Sequence, residues 1–142
     1  QFSSFRLVAP LRDNIELFNG ESPVILPSML KQVKHMSSPE NKKDNIIFFL
    51  DAHFSGDSGK TMTYKSENGP CPTLEELEVI RDSGIDNSII LVDDFSSFGV
   101  AKGYPSSDDV LKVIKQINPD YKINYIPEID CLMVSLELGI GG

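Results

Sequence analysis

Two rhythms of apolar and polar residues alternate along the chain, short uninterrupted apolar runs and stripes at helical spacing. The runs "IIFFL" (residues 46–50) and "SIILVDD" (88–94) read as core strands that break off in acids. "PVILPSMLKQVKH" (23–35) sets Val24, Leu26, Met29, Leu30 and Val33 on one helical stripe, with Pro23 suited to the first turn and Pro27 tolerable only there. "TLEELEVIRD" predicts a helix capped by Thr73, with Glu76 completing a capping box and Leu74, Leu77 and Ile80 facing inward. "DDVLKVIKQI" predicts another, capped by Ser107. "NIELF" (14–18) is a short strand candidate. "YKINYI" and "CLMVSLEL" read as two strands joined by a turn at residues 127–130, too close for a crossover and therefore an antiparallel hairpin at one edge.

This alternation predicts an α/β, Rossmann-like domain, with a mostly parallel sheet and helices on both faces. The strands at 46–50 and 89–92 should be adjacent, parallel and buried on both sides, joined by the Thr73 helix as a right-handed crossover. Ligands of such sheets sit beyond the carboxyl ends of the strands. Asp51 and His53 would then share one crevice with Asp93 and Asp94.

Composition narrows the classes. A chain of 142 residues suits a single domain spanning 1–142. With 40% hydrophobic and 24% charged residues it is made like a folded protein. A formal charge of −8 argues against nucleic acid or an anionic membrane as partner, because both need Lys and Arg to neutralise phosphates. No run reaches the length of a membrane span. The two cysteines, Cys71 and Cys131, lack metal-type spacing and read as reduced thiols, which fits a cytoplasmic setting. Assembly into a homo-oligomer is compatible with all of this.

Carboxylates crowded into one crevice repel one another unless a cation neutralises them. A hard divalent ion, Mg2+ or Mn2+, is the simplest remedy, with Asp51, Asp93 and Asp94 as its ligands. His53 could supply a general base or join the ion's shell. Acids after strands also serve as helix caps and solvated loop groups, so a non-enzymatic α/β module stays open. The Gly/Ser/Lys-containing stretch from residue 54 to 72 suits a lid over an acceptor, which Lys60, Tyr64 and Lys65 could contact.

The ordered segments "FFLDAHFSG", "CPTLEELEVI", "SIILVDDFSSFG", "GYPSSDDVLKVI" and "PEIDCLMV" resemble the second half of a class I S-adenosylmethionine-dependent methyltransferase, of the macrocin O-methyltransferase type linked to sugar and polysaccharide biosynthesis. The resemblance implies strand order 3-2-1-4-5-7-6, with an Asp ending strand four and Asp-Asp ending strand five. It implies that Asp51, Asp93 and Asp94 hold magnesium against a sugar's vicinal hydroxyls and that His53 acts as the base. "FNGES" resembles the segment after strand three, which makes Glu21 and Ser22 contacts of the S-adenosylmethionine cofactor. The Gly-rich loop that cradles the cofactor and the acid that holds its ribose have no counterpart here, which implies an incomplete methyltransferase fold, a C-terminal fragment or degenerate relative with little activity of its own. A metal-dependent glycosyltransferase, with "LVDDF" as its acidic motif, is the other enzymatic reading; it leaves "LDAH" unexplained.

Overall fold

The computed structural model describes residues 16, 18–36, 46–51 and 71–136. Its elements run α1 (Ser22–Met36), β1 (Ile47–Leu50), α2 (Thr73–Ser83), β2 (Ile89–Asp93), a 3-10 turn (Phe95–Ser97), α3 (Ser107–Ile117), β3 (Lys122–Ile126) and β4 (Cys131–Ser135). The "NIELF" strand rests mostly on residues outside this set, and the described Glu16 and Phe18 belong to no strand. His53, and residues 54–70 of the candidate lid at 54–72, also lie outside the described residues.

The strands form one open sheet in the order β1-β2-β4-β3. β1 and β2 are parallel neighbours, Phe48 beside Ile90 and Leu50 beside Val92, with α2 as the connection between them. β4 runs antiparallel to both β2 and β3, which places the expected hairpin at one edge. The sheet is therefore mixed, and among the described residues the parallel character expected of it is confined to β1 and β2.

Strand alternation sorts the side chains onto two faces. Phe48, Leu50, Ile90, Val92, Leu132 and Val134 are buried in a single cluster with Leu30 of α1, Leu77 and Ile80 of α2, and Val110, Val113, Ile114 and Ile117 of α3. The three helices touch in the order α1-α2-α3, so they form one layer over that face. The opposite face carries Ile47, Phe49, Ile89, Leu91 and Met133, of which Ile47 is 61% and Phe49 59% exposed. The expectation of strands buried on both sides under helices on both faces is thus met on one side only among the described residues. Tyr121, just before β3, is fully buried and donates its hydroxyl proton to the Ser88 carbonyl at 2.8 Å, which ties the far edge of the sheet to the start of β2.

Three helix starts differ in detail from the sequence pattern. α2 is capped by Pro72, and Thr73 is its first helical residue. A capping box requires an N–H at the cap position for the third-turn acid to accept, and proline has none. Thr73 instead accepts a hydrogen bond from the Cys71 thiol at 3.4 Å, and Glu76 turns away to α1. α3 is capped by Ser106 rather than Ser107, with the Asp109 N–H donating to Ser106 Oγ at 3.1 Å. Pro27 stands inside α1, past the first turn, where it removes one helical N–H on an exposed surface. Among the described residues no helix is long and apolar enough to cross a membrane.

Candidate metal centre

Asp51 follows the last residue of β1, and Asp93 is the last residue of β2, its register partner on β4 being Cys131. Because β1 and β2 are parallel and in register through Leu50 and Val92, both strands deliver their acids to the same end of the sheet. Asp94 leaves β2 in the left-handed conformation (φ 55°, ψ 38°), which bends the chain into the 3-10 turn. Asp tolerates that region better than most residues because its short side chain can bond locally. One carboxylate oxygen from each of Asp51, Asp93 and Asp94 lies within 4.8 Å of the other two. Asp51 is exposed and the other two are half-buried, so the group faces a crevice open to solvent. The expected convergence of the three acids is present.

Sequence reasoning passed over the neighbours of this crevice. Its lining also includes Cys71, Thr73, Phe98 and Tyr104. Burial, followed by the charges of Cys71, Asp94, Asp51 and Asp93, pushes the Tyr104 phenol up. Burial likewise pushes the Cys71 thiol up, against the hydrogen bonds it makes with Thr73. The donor set is three hard carboxylates, chemistry that fits Mg2+ or Mn2+. A signal for Tyr104 was present in the chain: "FSSFGVAKGYPSS" is the loop that directly follows an acidic strand end, and such loops carry binding groups.

Glu21 and Ser22 stand at the start of α1. The Glu21 carbonyl accepts from the N–H groups of Val24 and Ile25 at 2.9 and 3.0 Å, while its side chain is exposed. Ser22 donates its hydroxyl to Oε1 of Glu76 on α2. Glu76 is only 3% exposed, and its other oxygen, Oε2, is buried without a hydrogen-bond partner among the described residues. Burial raises the Glu76 carboxyl above the usual glutamate range; the Ser22 hydroxyl pulls it down and Glu75 pushes it further up. Glu76 also acts electrostatically on Cys71, so the α1 start, the α2 start and the acidic crevice share one end of the sheet.

No protein-family model, no curated protein and no solved structure matches this chain.

Proposed function

We propose that this chain forms the acceptor-side part of an S-adenosylmethionine-dependent O-methyltransferase that uses a divalent cation to position a sugar or similar vicinal hydroxyl. The observation that carries this reading is the convergence of Asp51, Asp93 and Asp94 at the carboxyl ends of two adjacent parallel strands. The sheet order supports it: reading β1, β2, β4 and β3 as strands four, five, seven and six gives the 4-5-7-6 half of the methyltransferase order, with the antiparallel strand in the seventh place. Asp51, Asp93 and Asp94 would hold the ion, which when bound lowers the pKa of a contacting hydroxyl and neutralises the carboxylates. His53 is assigned to removal of the acceptor proton, and Glu21 with Ser22 to the cofactor's edge.

The reading requires a Gly-rich cofactor loop and a ribose-binding acid, neither of which these 142 residues contain. It gives them a place. β1 pairs on one side only among the described residues, and the apolar side chains of Ile47 and Phe49 are exposed beside it, where further strands and a covering helix would dock.

Calorimetric titration of the chain with Mg2+ and with Mn2+ tests the site. Binding that disappears in Asp93→Asn supports it, whereas no binding of either ion would leave the acids as solvated loop groups. With the cofactor-binding half supplied, methyl transfer to a sugar hydroxyl should be abolished by a chelator, and His53→Ala should lower turnover about 10²-fold to 10⁴-fold while metal binding persists. Manganese-dependent binding of a sugar nucleotide in place of S-adenosylmethionine would move the assignment to a glycosyltransferase.

A further inference from the structure

The turn between β3 and β4 reaches across to the acidic crevice. Asp130, the last residue of that turn, is left-handed (φ 50°) like Asp94. Its carboxylate accepts three hydrogen bonds: from the Ser96 N–H at 2.9 Å, the Ser96 hydroxyl at 2.6 Å and the Tyr125 hydroxyl at 2.7 Å. Its carbonyl accepts a fourth from the Phe95 N–H at 3.2 Å. Both bonded backbone N–H groups belong to the two residues that directly follow Asp94. The Asp94 carbonyl in turn accepts from the Ser97 N–H at 3.0 Å, closing the 3-10 turn. A row of aromatic rings runs alongside. Tyr125 lies 6.0 Å from Phe95, Phe95 stacks on Phe98 at 5.4 Å, and Phe98 meets the edge of Tyr104 at 5.3 Å, so the row ends on a residue of the crevice itself.

A left-handed conformation at a non-glycine residue costs free energy and persists only where the surroundings fix it. Next to Asp94, the bonds that Phe95 and Ser96 make to Asp130 are part of the surroundings that fix it. We infer that Asp130 is a positioning residue of the acidic site: through the Phe95 and Ser96 backbone it holds Asp94 in the left-handed turn that keeps its carboxylate with those of Asp51 and Asp93. The inference rests on the metal-site reading above. It adds a residue that binds no ion and lies 36 positions along the chain from Asp94.

The separating experiment compares Asp130→Ala with Asp130→Asn in the full chain, reading Mn2+ affinity and the spin-resonance spectrum of the bound ion, with circular dichroism as the check on folding. Asparagine tolerates the left-handed region, and its Oδ1 still accepts from the Ser96 N–H and Tyr125. Asp130→Asn should therefore bind Mn2+ with nearly the parent's affinity and spectrum. Asp130→Ala should bind at least about tenfold more weakly, as is usual when support around a metal ligand is removed, with an altered spectrum. Parent-like binding by Asp130→Ala would overturn the inference. Equal weakening in both variants would overturn it too, since that would trace the effect to the negative charge of Asp130 and not to its bonds. Should Asp130→Ala fail to fold, Asp130→Gly, which removes the same carboxylate while favouring the left-handed backbone, takes its place, and parent-like binding there would be equally fatal. Absence of Mn2+ binding by the parent itself would instead strike the metal-site reading, so the two failures are told apart.

Discussion

The acids at one end of this sheet meet the same electrostatic problem in two different surroundings. Asp51, Asp93 and Asp94 crowd together where water reaches them, while Glu76 is nearly sealed between α1 and α2 with one oxygen on Ser22 and the other without a partner among the described residues. Crowded carboxylates that keep access to solvent are relieved by a cation. A carboxyl that is buried is relieved by a proton. Acidic residues a short distance apart in a fold thus differ in what they ask of their surroundings, and burial decides which.

The largest effect should come from loading the exposed group. Mg2+ or Mn2+ at about a hundred times its dissociation constant should stabilise the fold by about 2.7 kcal/mol through binding to the native state alone. Asp93→Asn or Asp94→Asn should remove most of that gain, measured as the metal-induced rise in Tm, while leaving the metal-free Tm close to the parent's. Glu76→Gln should respond to the ion as the parent does. A metal-induced rise that survives Asp93→Asn would dissolve the distinction between the two groups.

The next effect belongs to the buried acid and carries a defined pH dependence. The folded carboxyl of Glu76 lies above its unfolded value, so its favourable contribution is full below the ordinary glutamate range and is lost as pH rises through the raised folded value. The glutamine variant cannot ionise. It should match the parent near pH 4 and exceed it by roughly 1 kcal/mol at about pH 8, as read by denaturant unfolding across that range. A gap that narrows toward high pH would show that Glu76 is held ionised by groups around it.

Smaller still is the influence of the neighbour. Glu75 raises the Glu76 carboxyl, and Glu75→Gln should stabilise the fold in the same direction by a few tenths of a kcal/mol, an amount typical of like-charge relief on a helix surface. In the Glu76→Gln background this gain should vanish, and its persistence there would mean that Glu75 acts through its own buried oxygen.

Much of this arrangement could be read from the chain because it is local. The runs that form β1 and β2, the acids that end them and the short link that forces β3 and β4 into a hairpin depend on residues close together in sequence. What escaped depends on distance. Glu76 looks like half of a capping box until Ser22, 54 positions away, takes its carboxylate and Pro72 proves to have no N–H to offer. Adjacent serines cap a helix equally well on paper, and the backbone of the preceding loop chooses Ser106. "IIFFL" is apolar at every position, yet that pattern is silent on whether anything covers Ile47 and Phe49. Asp130 in "PEID" reads as an ordinary turn acid, and only the packing of the hairpin against the β2 turn gives it Ser96 and Tyr125 as partners.

The outer side of β1 has a consequence for handling the molecule. A strand that among the described residues pairs along one side only, flanked by exposed Ile47 and Phe49, is a template on which a second strand can grow. Concentrated solutions of the chain should therefore associate edge to edge in a salt-insensitive way, because backbone bonds and apolar contact, not charge, would drive the process. A lysine at position 49 would act as a gatekeeper: light scattering of Phe49→Lys should stay flat at concentrations where the parent's climbs. The same exposed row makes β1 the side from which this sheet can be extended.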